Sequence, residues 1–150
     1  MSIDLILAIV HHLGVFTVAG IIAAEWALVR PEMSSEKVRQ VTKIDALYGI
    51  AAGLVLLIGF ARVYFGLKGS EFYMQNPVFW AKIVAFATVG VLSITPTLLF
   101  LTWRDKAKNN PSFVPSADEI ANVRRYVKIE AHVFVLIPIL AAAMARGYGL

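Results

Sequence analysis

Four long apolar stretches, separated by short polar segments, organise this chain. The first begins near Ile3 and continues to about Val29, where Arg30-Pro31 ends it, because proline disfavours the helical region for the residue before it. Ser34 or Ser35 can then cap a second helix that starts polar, with Glu36, Lys37, Arg39 and Lys43, and becomes apolar from Ala46 to Gly66. Lys68-Gly69-Ser70 opens a short loop. Asn76-Pro77 starts a third apolar helix that runs to Trp103, with Pro96 as the expected kink. A longer connection holds Asn109-Asn110-Pro111 and Pro115, and Ser116 with Glu119 forms a capping box for the last helix. That helix is polar to Lys128 and apolar beyond it. The membrane spans are placed at about 3–29, 46–66, 77–103 and 127–147.

Composition turns this pattern into a fold class. Of 150 residues, 59% are apolar and 16% charged, whereas a soluble domain is nearer half apolar and a quarter charged. Crossing a hydrocarbon core of about 30 Å takes about 20 helical residues. Four spans and their connections therefore use nearly the whole chain, and the expectation is all-α: a four-transmembrane-helix bundle forming a single integral membrane domain, 1–150. Met1 to Asp4 carries no basic n-region, so the first segment is expected to remain as a membrane helix. With no cysteine, thiolate metal sites, iron–sulfur clusters and cysteine nucleophiles are excluded.

Net charge +4 reads as topology and not as affinity for nucleic acid. Of the 14 Lys and Arg, ten flank the first and third connections; Arg62, Lys68, Lys82 and Arg146 lie toward the other side. Lys and Arg collect beside the cytoplasm. This predicts a multi-pass protein of the bacterial inner membrane with both termini periplasmic.

Val38 to Ala46 aligns without gaps on Val123 to Ala131, with five of nine positions identical and Asp45 opposite Glu130. One reading is a repeat of two parallel helical hairpins; the other is that basic helix entries resemble one another. Gly49 and Gly53, four apart, suggest close helix packing or a homodimer. Trp26, Trp80 and Trp103 are expected in the interfacial aromatic belt.

Ionisable groups inside the spans carry the functional information, since each costs roughly 3 kcal/mol in hydrocarbon unless paired or turned inward. At about 1.5 Å per residue they fall into two layers. His11, His12, Arg62 and Lys82 lie toward the outside; Glu25, Asp45, Tyr48, Glu130 and His132 lie toward the cytoplasm. Asp4, His11, Val18 and Glu25 share one stripe of the first helix, which turns His11 inward. His12 points about 100° away, where a hydrogen bond to a neighbour could bury it. An imidazole and two cations suit a propionate, a quinone oxygen or another anionic group, unless Asp4 supplies the countercharge. Lys82 and Arg62 can equally snorkel to water. Asp45 and Glu130 are expected to pair with Arg or Lys at the helix entries, or else Glu25, Glu130 and His132 form a proton path. His11 and His132 stand about 15 Å apart along the normal, too far for one haem between them.

His11-His12, Ala19-Gly20, Lys43-Ile44-Asp45-Ala46-Leu47-Tyr48-Gly49, Asn76 to Lys82 and Met144-Ala145-Arg146-Gly147 resemble an uncharacterised family of four-helix bacterial inner-membrane proteins, over essentially the whole chain. More remotely, the arrangement is similar to the membrane parts of copper-resistance CopD proteins and to HemJ-type protoporphyrinogen oxidases. In the latter pattern a histidine precedes a glycine by nine residues, as His11 precedes Gly20, and a lysine follows a tryptophan, as Lys82 follows Trp80. Glu25-Trp26 stands where that pattern has proline-arginine, and Glu130 alone remains of its Asn-Glu-x-Pro. The resemblance implies haem or quinone binding and does not carry an activity over.

The resulting expectation is a bundle whose outer half holds a redox cofactor, b-type haem or quinone, with His11 as the metal ligand and Lys82 and Arg62 beside it. The alternatives are a metal-handling or transport protein and a non-catalytic partner subunit of a membrane complex. No motif identifies a catalytic residue.

Overall fold

The computed structural model describes residues 2–149. Five helices follow in order: α1 (Ile3–Leu28), α2 (Ser35–Phe65), α3 (Gly69–Met74), α4 (Pro77–Asn109) and α5 (Ala117–Ala145). Four of them are long and apolar enough to cross a membrane. The starts are set by the residues that sequence pattern marks. Ser34 caps α2, Asn76 caps α4 with Pro77 in the first turn, and Ser116 and Glu119 complete the capping box of α5. The loop expected after Lys68 instead contains the six-residue α3. It is tied to α4 by the Trp80 indole, which donates to the Met74 carbonyl at 2.9 Å. Helix α4 runs unbroken through Pro96, which is buried.

Around the bundle the order is α1, α2, α4, α5, each long helix packing on its two neighbours. The closest pairs are the hairpins α1–α2 and α4–α5, while α2–α4 and α1–α5 join one hairpin to the other. Exchanging the hairpins maps this set of contacts onto itself, as two parallel hairpins require. The aligned segments also bury matching positions: Val38 with Val123, Thr42 with Val127, and Asp45 with Glu130. At the basic end the two connections meet, where the Ser35 hydroxyl lies 2.6 Å from the Pro111 carbonyl and 3.0 Å from that of Phe113. At the other end the Asn76 amide donates to the Tyr148 carbonyl at 3.2 Å.

The core between the helices is a column that includes Val18, Ile22, Phe100, Trp103, Val127 and Phe134. The outward faces carry Phe16, Leu57, Val84, Leu98 and Ile139, as lipid contact demands. Trp26 and Trp80 are partly exposed and fit an interfacial belt, but Trp103 is completely buried against Phe100. The belt expectation fails at Trp103 because α4 continues as a packed helix to Asn109.

Close helix approach is not made at Gly49 and Gly53, where an added Cβ would meet nothing within 4 Å. It is made at Gly14, whose Cβ would lie 2.7 Å from Val55 Cγ2. Val55 is stiff at χ1 and itself buried, so it has no room to retreat. Gly14→Leu is expected to destabilise the bundle by about 1–3 kcal/mol. Thermal unfolding in detergent checks this, with Gly20→Leu, which meets open space, as the unchanged control.

Candidate functional site

The inward stripe of α1 brings His11 against α2 at Gly59, where an added Cβ would sit 3.3 Å from the imidazole Cε1. Glycine is what lets the ring lie against the α2 backbone. One turn further along α2 is Arg62, and Lys82 comes from the second turn of α4 with its ammonium 5.2 Å from the Phe79 ring centre. His11, Arg62 and Lys82 line one cavity of about 450 Å³, whose lining also includes Phe86, Phe134 and Pro138. Its volume is within the usual range for small-molecule and cofactor pockets. Lys68 adds a third cation to the lining, and no Asp or Glu lines it.

Two polar atoms of these lining residues are shut in by the surrounding helices. His11 Nδ1 and Arg62 Nε are buried and make no hydrogen bond. Such groups ordinarily find a partner, and His11 Nδ1 lies toward the α2 backbone, 3.8 Å from a Cβ built at Gly59. Asp4 does not supply the missing charge. Its Oδ1 accepts from the Leu67 amide at 3.3 Å, tying the start of α1 to the end of α2. His12 differs from the expectation: it is exposed at the rim of the cavity, with Nδ1 2.6 Å from the Ala8 carbonyl of its own helix.

The polar layer nearer the basic end of the bundle is buried and acidic. Glu25, Asp45 and Glu130 are 3%, 6% and 1% exposed, so none reaches solvent. The ion pairs expected for Asp45 and Glu130 are not formed among the described residues. Asp45 Oδ1 instead accepts from the Thr97 hydroxyl at 2.8 Å. Both Glu130 oxygens and Glu25 Oε1 are unpartnered. Arg39, Lys43, Arg125 and Lys128 at the helix entries stay exposed, while the carboxyls turn toward the interior. His132 is exposed on the far side of α5, its Nδ1 2.6 Å from the Lys128 carbonyl. Two residues beyond Glu130, it is turned by about 200°. The structure thus gathers Glu25, Asp45, Tyr48 and Glu130 and leaves His132 out of that group. Among the described residues, no three His, Asp or Glu side chains converge to hold a metal ion.

The family described as "Predicted membrane protein (DUF2214)" matches residues 3–149. The chain belongs to that family. No curated protein and no solved structure matches it. This DUF2214 protein is an integral membrane protein with four apolar helices.

Arg124 is a functional side chain that sequence reasoning counted as topology alone. Its guanidinium lies 4.0 Å from the Trp26 ring centre and donates to the carbonyls of Trp26 and Val29. Together with Arg30, whose Nε donates to the Ala27 carbonyl at 2.9 Å, Arg124 of α5 places a cation at the C-terminal carbonyls of α1.

Proposed function

We propose that the outer cavity of this membrane protein binds a redox cofactor, b-type haem, with His11 as the axial ligand. The observation that carries this reading is that His11, Arg62 and Lys82 line one cavity whose lining holds no carboxylate. A neutral imidazole is a haem-iron ligand. Lys82 and Arg62 would hold the propionates, while Phe86 and Phe134 provide an apolar wall for the macrocycle. Bound haem supplies one-electron transfer; the chain's own part is to ligate, neutralise and exclude water. The remote likeness to the HemJ-type pattern rests on the His11–Gly20 spacing and on a lysine following a tryptophan, Lys82 after Trp80 at a shorter spacing than that pattern has.

A second reading, a quinone, is favoured by one observation: both histidines lining the cavity come from α1, leaving no imidazole on the opposite wall. His11 and Lys82 would then donate to a quinone oxygen. Organic extraction of protein purified from cells given ample haem precursor separates the two. Haem in the extract supports the first reading, and a quinone without haem supports the second. An extract holding neither favours the partner-subunit reading over both. A metal-handling role has less support, since the described residues form no three-ligand cluster.

Placement in a bacterial inner membrane with both termini periplasmic rests on the ten-to-four distribution of Lys and Arg. The Ser35 contacts to Pro111 and Phe113 support it by joining both basic connections at one end. A periplasm-dependent reporter fused at Leu150 is expected to be active, and a cytoplasm-dependent one silent. The reverse pattern would invert the two polar layers.

A further inference from the structure

A second cavity, about 700 Å³, lies mainly between α2 and α4, with Val18 and Phe134 at its inner wall, and is lined by neither His11 nor Lys82. At its basic end it carries two cations on each helix: Arg39 and Lys43 on α2, Arg104 and Lys108 on α4. Above them the lining turns apolar. Gly49 and Gly90 form part of it, and an added Cβ at either would meet nothing within 4 Å, so the missing side chains leave a slot.

The dimensions and charges fit a lipid. From Arg39 to Ala52 the slot follows α2 for about 20 Å at 1.5 Å per residue, starting at the interface. One leaflet contributes about 15 Å of hydrocarbon. A cationic mouth leading to an apolar slot of one leaflet's depth matches a phosphate headgroup with its acyl chain. Asp45, held by Thr97, lies in the same lining and keeps an anionic headgroup at the level of the rim.

The two halves of the bundle differ here in an informative way. At the α1–α5 junction Arg124 is consumed by Trp26 and the α1 carbonyls. Arg39 occupies the aligned position at the α2–α4 junction, yet neither it nor Lys43 makes a side-chain hydrogen bond or ion pair among the described residues. Arg104 and Lys108 share Asp105, at 3.2 and 3.7 Å, so four cations face one rim carboxylate.

We propose that the α2–α4 groove binds one anionic phospholipid from the leaflet at the basic end of the bundle. Basic pockets between membrane helices recognise anionic headgroups in this way. The groove adjoins the outer cavity at Val18, Phe86 and Phe134, but its cationic mouth shares no residue with it, so lipid selectivity at that mouth is tested apart from the haem assignment.

Native mass spectrometry of the delipidated full-length protein, titrated with phosphatidylglycerol or phosphatidylcholine, tests this. One tightly held phosphatidylglycerol is expected, preferred over phosphatidylcholine by about tenfold or more. Arg39→Ala and Lys43→Ala should each weaken it about fivefold, the effect of one cation near an anionic headgroup. Gly49→Leu with Gly90→Leu should fill the slot and abolish retention, and Arg125→Ala, exposed on α5, should change nothing. Arg39 and Lys43 are exposed, so their variants test the site even if the filled slot misfolds. Equal retention of both lipids, or unchanged binding in Arg39→Ala and Lys43→Ala, would overturn the proposal. Full displacement by inorganic phosphate, or a dimer that the filled slot abolishes, would also overturn it.

Discussion

Replacing Trp103 by alanine is expected to cost roughly 3–5 kcal/mol, the largest loss from any single aromatic in this bundle. The indole has no exposed surface, packs edge-on against Phe100 at 5.6 Å between ring centres, and belongs to the central column. Removing it leaves a void that the stiff neighbours Val38, Val41 and Val123 in the same column fill poorly. Trp80→Ala provides the contrast. Trp80 is 49% exposed and contributes one hydrogen bond, worth about 1 kcal/mol. Reversible unfolding in mixed micelles measures both. Equal losses would mean that Trp103 is an interfacial anchor and that α4 does not pack as described.

The same residue shows where the sequence was readable. Span positions and caps follow from rules acting within a few residues, so Ser34, Asn76-Pro77 and the Ser116–Glu119 box were all legible. The inward stripe through His11, Val18 and Glu25 was legible too, because helical spacing alone defines it. Trp103 was misread because nearness to a span end says nothing of which neighbour covers the ring. For the same reason the partner of Arg124 was hidden: it lies 95 and 98 residues away in the chain. Asp45 and Glu130 show the opposite error. Nearby Lys and Arg in sequence suggested ion pairs, but successive helical positions face different sides, and the carboxyls turn inward while the cations remain at the rim.

Loss of the imidazole should have the largest effect on the outer cavity. His11→Ala is expected to lower haem content at least about tenfold, because it removes the proposed axial bond to iron. Lys82→Ala should reduce content less, about fivefold, and leave the band shape unchanged, since a propionate partner acts on affinity and not on the iron. Gly59→Val offers a check that deletes no polar group: the added side chain reaches the imidazole edge 3.3 Å away and should displace it. All three proteins should keep the parent's helical content. Equal haem loss in His11→Ala and Lys82→Ala, with the same altered band, would point to a generally disturbed cavity.

The most direct measurement is the absorption spectrum of the intact protein, purified in mild detergent from cells supplied with haem precursor, before and after dithionite. A Soret band with a reduced-minus-oxidised difference, present in the parent and missing in His11→Ala, is the predicted result. A parent without a Soret band, or a band that persists unchanged in His11→Ala, would contradict the assignment of His11 as a haem ligand.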